Sequence, residues 1–547
     1  MSMQRKYVIE EVSSTWINNY SDKVNNLVRA KINEFKTRNY YAKTLFAYDS
    51  DIGISDNANL MVPPASLTKL FTTAAALKIL GPDYKIKTPL STDGIITGTI
   101  LQGNLVLVGS GDFTFGGKRE CECHNETETE TETETQTSNP ETLIRDNYRA
   151  ACCPNTKFCG SDSNIVFPTI DHVVAPYLIN LAPQDPLLGI KTLAKKLYNL
   201  GIRTITGNVY VDTSLFDPML ITGIIIGPIE INENVIDVVL TPTVIGQIPD
   251  ICWRPRVSNY TVINNLVTSA PGTFINVEID YQNNGRTFIL TGTVPITERQ
   301  VVTRIPLQDP SDFAKMALLD ALQNLGIQVQ GNDIGLGSNL TKLVTFKSVT
   351  LAQHLKLIDK VSSDQGANLT AFLLSLTRDS KGNFVTGLNV IADFMYSQVG
   401  IGKDELNLIT AAGQYGNLTT SSAIIKVLEY MKSQPAKYFD PFIDALPIVG
   451  INGTVGSNGT NLPVAGNAFM KDGTLVIERL TTDNFGVYIK NLGGYIKTLR
   501  GELISFCIFS QYANLPTNYD DFYNIDFNIN LLTNNLVEVL NIIYLYY

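Results

Sequence analysis

A serine and a lysine three positions apart are the residues of this sequence best placed for covalent chemistry. Ser66 and Lys69 follow Pro63 and Pro64, and an Ala- and Leu-rich stretch comes next. The prolines end an extended segment, so the pair is predicted to lie on one face of a buried helix, in its first turns. A hydroxyl beside an amine is a nucleophile beside a base, and the helix N-terminus offers partial positive charge to an oxyanion.

The Ser-x-x-Lys pattern gains its meaning from its flanks. Roughly two such matches are expected by chance in a chain of this length, so the motif alone is weak evidence. The segments Pro64–Lys69, Thr72–Leu77 and Leu80–Tyr84 closely resemble the acylation region of class C low-molecular-mass penicillin-binding proteins. That family contains D-alanyl-D-alanine carboxypeptidases and endopeptidases of the serine penicillin-recognising superfamily. The resemblance implies that Ser66 is acylated and that Lys69 is its base.

Further segments match the same family in the same order along the chain. They are Gly109–Thr114, Leu200–Val209 and Leu446–Thr454. The resemblance covers roughly residues 36–115 and 178–513. It implies an α/β (α+β) fold: a serine β-lactamase/DD-peptidase-like domain of a sheet flanked by helices, interrupted by a β-rich accessory insertion after the nucleophile helix.

Changes in the hydrophobic pattern along the chain predict the same interrupted domain layout. Residues 95–344 carry short alternating apolar segments, which are typical of β-rich domains. Sequence patterns typical of helices return near residue 351. We therefore predict four parts. They are an N-terminal helical segment at 1–35, a discontinuous catalytic domain at 36–94 plus 345–513, an inserted accessory region at 95–344, and a C-terminal tail at 514–547.

The second motif of the family is Ser-x-Asn, which relays a proton to the leaving amine and holds the substrate amide. It aligns with Ser363, Asp364 and Gln365, so Ser363 is the expected catalytic serine and Gln365 stands where the family has Asn. Gln keeps the amide but adds a methylene, and a displacement near 1 Å costs roughly a hundredfold in rate. Asn368 substitutes for it if the helix begins later. The structural alternative is that Ser363 and Asp364 cap the following helix.

The third motif of the family is Lys-Thr-Gly on a strand. Its lysine adds positive charge, its Thr hydroxyl binds the substrate carboxylate, and the strand edge pairs with the substrate backbone. Lys471, Asp472, Gly473 and Thr474 occupy this place, so a carboxylate replaces the expected hydroxyl. An ionised Asp472 would repel a substrate carboxylate and donates no hydrogen bond. The alternatives are pairing with Lys471 or Lys69, a substrate with an amine or no terminal charge, or a plain β-turn.

The three motifs together predict how the site works. A second cation at Lys471 would lower the pKa of Lys69, which must be neutral to accept the serine proton. By resemblance, the backbone N–H groups of Ser66 and Thr474 form the oxyanion hole. The run Thr410–Gln414 replaces a more polar segment of the family, Asp-Gly-Ser-Gly-Leu, near the cleft.

A cysteine-containing, low-complexity loop is predicted at about residues 117–165. Thr and Glu alternate over Glu126–Thr135, and because both faces of such a strand would be polar we interpret it as a disordered acidic loop. The spacing of its cysteines does not match paired Cys-x-x-Cys, which leaves two disulfides, free thiols and zinc as alternatives. These cysteines are Cys121, Cys123, Cys152, Cys153 and Cys159.

Composition limits the class of protein. The chain has 547 residues, 44% of them hydrophobic, which suits two to four globular domains. Its net charge of −10 argues against a nucleic-acid partner. No transmembrane segment is predicted, and the first residues lack the apolar core of a signal peptide. The family works outside the cytoplasm, so the localisation is left open.

The sequence therefore predicts a serine-type D-Ala-D-Ala carboxypeptidase/endopeptidase-like hydrolase acting through an acyl-enzyme on Ser66, without a cofactor or metal. By resemblance, its substrate is a peptidoglycan-type peptide or a related small molecule, and β-lactams are covalent ligands. Gln365 and Asp472 favour one alternative, a catalytically impaired homologue with a binding or structural role. The other alternative is a β-lactamase- or esterase-like serine hydrolase with changed specificity.

Overall fold

The computed structural model describes residues 22–117, 185–298, 301–332, 335–414, 416–478, 485–516 and 522–547. The Thr/Glu repeat, the five cysteines of the predicted loop and residues 1–21 lie outside these described residues. Among the described cysteines, Cys252 forms a disulfide and Cys507 is a buried free thiol.

The described residues contain ten α-helices. They are α1 (22–36), α2 (Thr68–Ile79), α3 (Leu188–Asn199), α4 (Pro310–Asn324), α5 (Leu351–Val361), α6 (Asp364–Ser375), α7 (Phe384–Phe394), α8 (Ser421–Lys432), α9 (Ala436–Ala445) and α10 (Phe522–Tyr546). None of these has the length and hydropathy needed to cross a bilayer, within the part of the chain that is described.

The described residues also contain 22 strands in seven sheets. They are β1 (Leu45–Ser50), β2 (Lys87–Thr92), β3 (Ile95–Thr97), β4 (Ile100–Gln102), β5 (Leu105–Val108), β6 (Thr204–Ile205), β7 (Val209–Asp212), β8 (Met219–Ile221), β9 (Ile224–Ile226), β10 (Val235–Thr241), β11 (Asp250–Arg254), β12 (Thr261–Ser269), β13 (Asn276–Gln282), β14 (Thr287–Pro295), β15 (Val301–Pro306), β16 (Gln328–Val329), β17 (Thr341–Lys347), β18 (Leu406–Asn407), β19 (Leu418–Thr419), β20 (Ala468–Glu478), β21 (Phe485–Lys497) and β22 (Leu503–Pro516).

The sheet that packs against α2 is antiparallel, with the strand order β1-β22-β21-β20. Successive residues of β22 alternate between two cores, as the twofold period of a strand requires. Cys507 and Phe509 pack into a core with α2 and α5–α9. Phe506 and Ile508 pack into a second core with α1 and α10 on the opposite face. The predicted α/β fold, a sheet flanked by helices, is confirmed, and β20 is its edge strand.

A third hydrophobic core is formed by the part of the chain that separates, in sequence, the two halves of this helix-and-sheet unit. It is built from residues between Leu90 and Ile327 and contains one face of α3 and of α4. Four of the sheets contribute to it, in the orders β16-β6-β4-β3, β17-β2-β5-β7, β11-β10-β15 and β12-β14-β13. We call residues 87–347 the insertion. Phe113 belongs to the helical core and Phe115 to the insertion core, so the segment between β5 and α3 connects the two.

Two details differ from the sequence-based expectations. The helix expected from Ser66 begins with a 3-10 turn, Ala65–Leu67, and becomes α-helical at Thr68. The C-terminal tail, which had no predicted structure, contains α10 packed on the sheet. Its asparagines bond to tyrosines of the core, with Asn528 Nδ2 3.1 Å from Tyr488 Oη.

Candidate active site

The turn that carries Ser66, the nucleophile expected from the sequence, is conformationally strained. Ala65 has φ 51°, in the left-handed region that disfavours residues with a Cβ atom. Ser66 follows it in the 3-10 turn and is half-buried, between fully buried neighbours. The strained residue thus sets the direction in which the Ser66 side chain leaves the turn.

Two glycines allow neighbouring segments to hold this turn closely. A Cβ atom on Gly473 of β20 would lie 2.5 Å from the carbonyl oxygen of Pro64. A Cβ atom on Gly413 would lie 1.8 Å from the carbonyl oxygen of Ala65. Both distances are shorter than any side chain tolerates. Glycine at these positions therefore lets β20 and the 410–414 segment clamp the turn that carries Ser66.

Lys69 is the centre of the hydrogen-bond network. Its side chain is fully buried, and its amine is within bonding distance of four oxygens. These are Ser66 Oγ at 2.9 Å, Asp364 Oδ1 at 2.5 Å, Ala412 O at 3.1 Å and Ser362 Oγ at 3.4 Å. The nucleophile and base expected from the sequence are thus in direct contact.

Opposing effects set the protonation of Lys69. Burial lowers the pKa of Lys69, because a charged amine loses its hydration, and the positive charge of Lys471 lowers it further. The carboxylate of Asp364 opposes them and favours the protonated form. The pKa is lowered overall, in the direction that a general base requires.

Two adjacent serines lie between α5 and α6. Ser362 ends α5 with φ 63°, and its hydroxyl is the one that contacts Lys69. Ser363 is the N-cap of α6, where its Oγ accepts a hydrogen bond from the backbone N–H of Gly366 at 3.1 Å. The sequence motif indicated Ser363. The structure adds Ser362, whose left-handed backbone no sequence signal indicated.

Gln365 connects α6 to the insertion. Its Nε2 donates to Glu230 Oε2 at 2.7 Å and to the backbone oxygen of Glu233 at 3.0 Å. Asn368, the substitute considered for it, bonds to the backbone N–H of Ala411 and to Gln414. The methylene that distinguishes Gln from Asn therefore lets the amide reach a buried glutamate of the insertion.

A cavity of about 260 Å³ lies beside these residues. Asp364, Gln365, Asn368 and Gln414 line it from the helical unit. Insertion residues line it from the other side. They are Ile221, Thr222, Ile224, Ile226 and Arg304. The second-motif helix α6 and the insertion thus face each other across this cavity.

The third motif forms a buried charge cluster on β20. Lys471 is fully buried, and its Nζ lies 2.9 Å from the backbone oxygen and 3.2 Å from Oδ1 of Asp472. Lys490 of β21 donates to Asp472 Oδ2 at 2.6 Å and to Thr474 Oγ1 at 2.8 Å. Thr454 donates from its hydroxyl to Asp472 Oδ1. Pairing of Asp472 with Lys471, one of the sequence-based alternatives, is present.

The charge state of Asp472 follows from these partners. Burial alone would raise its pKa, but Lys490 and Lys471 outweigh burial and hold the pKa of Asp472 well below its usual range. Lys490 was missed in the sequence, because its partnership with Thr474 depends on the β20–β21 register. A lysine on the strand after the motif was the only available signal.

A buried carboxylate of α5 contacts α2 one helical turn beyond Lys69. Asp359 is fully buried, and its Oδ2 accepts a hydrogen bond from Thr73 Oγ1 at 2.7 Å. Burial raises the pKa of Asp359 to about 6. No motif indicated this residue, since it belongs to the helix before the second motif.

Comparison with known proteins identifies relatives of this arrangement. A family model described as D-Ala-D-Ala carboxypeptidase 3 (S13) matches residues 45–535. A D-alanyl-D-alanine carboxypeptidase of Actinomadura sp. (strain R39) is 22% identical over 472 residues, which are 80% of this chain and 72% of that protein. Penicillin-sensitive carboxypeptidase A of Dictyostelium discoideum is 22% identical over 432 residues, 75% of this chain and 72% of that protein.

A solved structure shares the fold. Penicillin binding protein 4 (dacB) of Haemophilus influenzae superposes with a TM-score of 0.66 at 18% identity, covering 93% of this chain and 99% of that chain. Its complex with a β-lactam gives a TM-score of 0.64 with the same coverage. The resemblance found in the sequence is thereby confirmed. Since the family model spans most of the chain, this protein belongs to the D-Ala-D-Ala carboxypeptidase 3 (S13) family of peptidases.

Proposed function

We propose that the chain is a serine-type D-Ala-D-Ala carboxypeptidase/endopeptidase-like hydrolase that acts through an acyl-enzyme on Ser66. The observation that carries this proposal is the 2.9 Å contact between Lys69 Nζ and Ser66 Oγ. The amine is fully buried and its pKa is lowered, which is the direction that a base beside the nucleophile requires. Ser66 is half-buried, whereas its neighbours Ala65 and Leu67 are buried.

The proposed reaction has two steps. Neutral Lys69 accepts the proton of Ser66 while Oγ bonds to the carbonyl carbon. The C–N bond then breaks, and the leaving amine of the terminal D-residue receives that proton. Water then attacks the ester, and the acid product leaves Ser66 free. By family resemblance, the backbone N–H groups of Ser66 and Thr474 stabilise the oxyanion in both steps.

The serine pair at the α5–α6 junction is the proposed proton relay to the leaving amine. Ser363 has the motif position, and Ser362 has the contact with Lys69. A hydroxyl beside the base can pass on the proton that the base has taken from the nucleophile. Whichever of the two serines transfers the proton, the transfer takes place at the α5–α6 junction.

The proposed substrate is a peptidoglycan-type peptide. Lys471, Asp472, Gly473 and Thr474 lie on the edge strand β20, where an extended peptide can add as a further strand. Gln365 is the proposed second-motif contact. β-Lactams are the proposed covalent ligands, since one relative is called penicillin-sensitive and a structural neighbour is complexed with a β-lactam.

A second candidate function is that of a catalytically impaired homologue with a binding or structural role. One observation favours it: both departures from the family motifs are engaged within the protein. The amide of Gln365 is bonded to Glu230, and the carboxylate of Asp472 is held by two lysines. These two residues would then stabilise the fold rather than bind substrate.

Hydrolysis of a peptide ending in D-Ala-D-Ala separates the two candidates. We expect the wild type to release D-Ala, and Ser66→Ala to lower the rate roughly a thousandfold or more, as for other nucleophile deletions. Ser397→Ala, which removes an exposed hydroxyl, is the matched control and should retain full activity. Release of D-Ala by Ser66→Ala at the wild-type rate would contradict the proposal. A folded wild type that neither cleaves nor is acylated would support the impaired homologue.

A further inference from the structure

The third motif has an unexpected charge balance. Its family form, Lys-Thr-Gly, carries one positive charge. Here Lys471 and Lys490 each contribute one positive charge and Asp472 one negative charge, so the cluster again carries one positive charge. All three side chains are at least nine-tenths buried, where charges are weakly screened. The balance therefore depends on Lys490, a residue outside the motif.

The hydroxyl lost at position 472 has a neighbour that can replace it. Thr474 lies two residues along β20, on the same face of the strand as Asp472. Its Oγ1 accepts the hydrogen bond of Lys490 at 2.8 Å, so its own O–H hydrogen is left to donate elsewhere. Thr474 is half-buried, whereas Asp472 is buried. Lys490 thus both neutralises the carboxylate and orients a hydroxyl.

We propose that Lys490 is a positioning residue for the substrate carboxylate. By pairing with Asp472 and orienting Thr474, it keeps this end of the cleft cationic and restores a hydroxyl donor. The chain then binds peptides with a free C-terminal carboxylate more tightly than their amides, although Asp472 alone would repel them. This inference rests on the proposed function, because it concerns the same cleft.

A four-variant cycle tests the role of Lys490. The variants are the parent, Asp472→Asn, Lys490→Met and the double variant, all in the full chain carrying Ser66→Ala. Isothermal titration measures the dissociation constants of an N-acetylated peptide ending in D-Ala-D-Ala and of its C-terminal amide. The readout is the ratio of amide to free-acid dissociation constants, which a general loss of stability does not change.

The charge count predicts the order of these ratios. The parent and the double variant carry the same net charge, so both should prefer the free acid. Lys490→Met should lower the preference by about ten- to a hundredfold, the worth of one charge-assisted hydrogen bond. Asp472→Asn should raise it. If Lys490→Met does not fold, Asp472→Asn and the double variant still differ only at residue 490, and the double variant should have the lower ratio.

Three results would overturn the inference. They are a parent that binds the amide as tightly as the free acid, a parent that binds neither, and a ratio that is the same with and without Lys490. Because binding is measured without the Ser66 hydroxyl, these outcomes concern the carboxylate site alone. Failure of the proposed function would instead be a wild-type Ser66 that is never acylated.

Discussion

The ion pair between Lys69 and Asp364 sets the pH at which the proposed base becomes active. Oδ1 of Asp364 lies 2.5 Å from the Lys69 amine and stabilises its protonated form. Burial and Lys471 act in the opposite direction. Lys69 must be neutral to accept the serine proton, so the rate of acylation should rise with pH as Lys69 loses its proton.

Replacing Asp364 by Asn should move this rise to lower pH. Without the carboxylate, the protonated amine loses its main stabilising partner, and burial and Lys471 lower the pKa of Lys69 further. The test is the rate of β-lactam acylation measured from pH 5 to pH 10. The control is Asp217→Asn, which removes an exposed carboxylate paired with Lys381 and should leave the profile unchanged. A profile that moves to higher pH in Asp364→Asn would refute this assignment.

Two adjacent hydroxyls at the junction of α5 and α6 make different contacts. Ser362 adopts φ 63° to end one helix, and Ser363 caps the next. The family motif identified the junction, because it requires a serine there. It indicated Ser363 and not Ser362, since the contact of Ser362 with Lys69 depends on a left-handed backbone conformation that non-glycine residues rarely adopt.

Substituting each serine separately should distinguish proton transfer through Ser362 from helix capping by Ser363. We expect Ser362→Ala to slow acylation by about a hundredfold or more, because its hydroxyl contacts Lys69. We expect Ser363→Ala mainly to lower the free energy of unfolding by about 1 kcal/mol, through loss of the N-cap. Acylation rates and denaturant unfolding curves of both variants measure this. If Ser363→Ala is the slower variant with unchanged stability, the relay belongs to Ser363.

The β20–β21 hairpin marks the limit of sequence-based prediction at the scale of elements. Lys471, Asp472 and Gly473 were identified by the motif, and the strand around them was expected. Lys490 was not, because its place opposite Thr474 follows from the pairing register of β20 and β21. A shift of one residue directs a side chain to the other face of a sheet, and local patterning does not encode it.

The order of elements along the whole chain was predictable, because family motifs occur on both sides of the insertion. The C-terminal helix α10 was not. Its Asn-rich polar positions gave no assignable structure from the sequence. Asn528 and Asn535 are nevertheless buried, and they bond to Tyr488 of β21 and to Tyr41, which lies just before β1. Burial of polar side chains depends on partners distant in sequence, which composition does not reveal.

A buried carboxylate lies in the segment that connects the helical and insertion cores. Asp112 stands beside Phe113 and is almost fully buried. Its Oδ1 accepts two hydrogen bonds from Thr114, while its Oδ2 has no hydrogen-bond partner among the described residues. Burial raises the pKa of Asp112 to about 6. The ionised form therefore destabilises the folded chain.

Stability should depend on pH through this group. The folded pKa exceeds the unfolded value of about 3.9, so the destabilisation is absent below pH 4 and complete above pH 6. Relative to Asp112→Asn, the wild type should lose about 2–3 kcal/mol of unfolding free energy between pH 4 and pH 8. Denaturant unfolding of both chains across this range measures the difference. Parallel stability curves for the two chains would show that Asp112 does not titrate in this way.

The central claim is that Ser66 is a nucleophile activated by Lys69, and covalent labelling tests it most directly. The measurement is the intact mass of the chain after incubation with a fluorescent penicillin, for the wild type and for Ser66→Ala. We expect the wild type to gain the mass of one penicillin and the variant to gain none, since Ser66 Oγ is the proposed nucleophile and lies 2.9 Å from the Lys69 amine. An unmodified wild type at high concentrations of several β-lactams, or an adduct that persists in Ser66→Ala, would contradict the account.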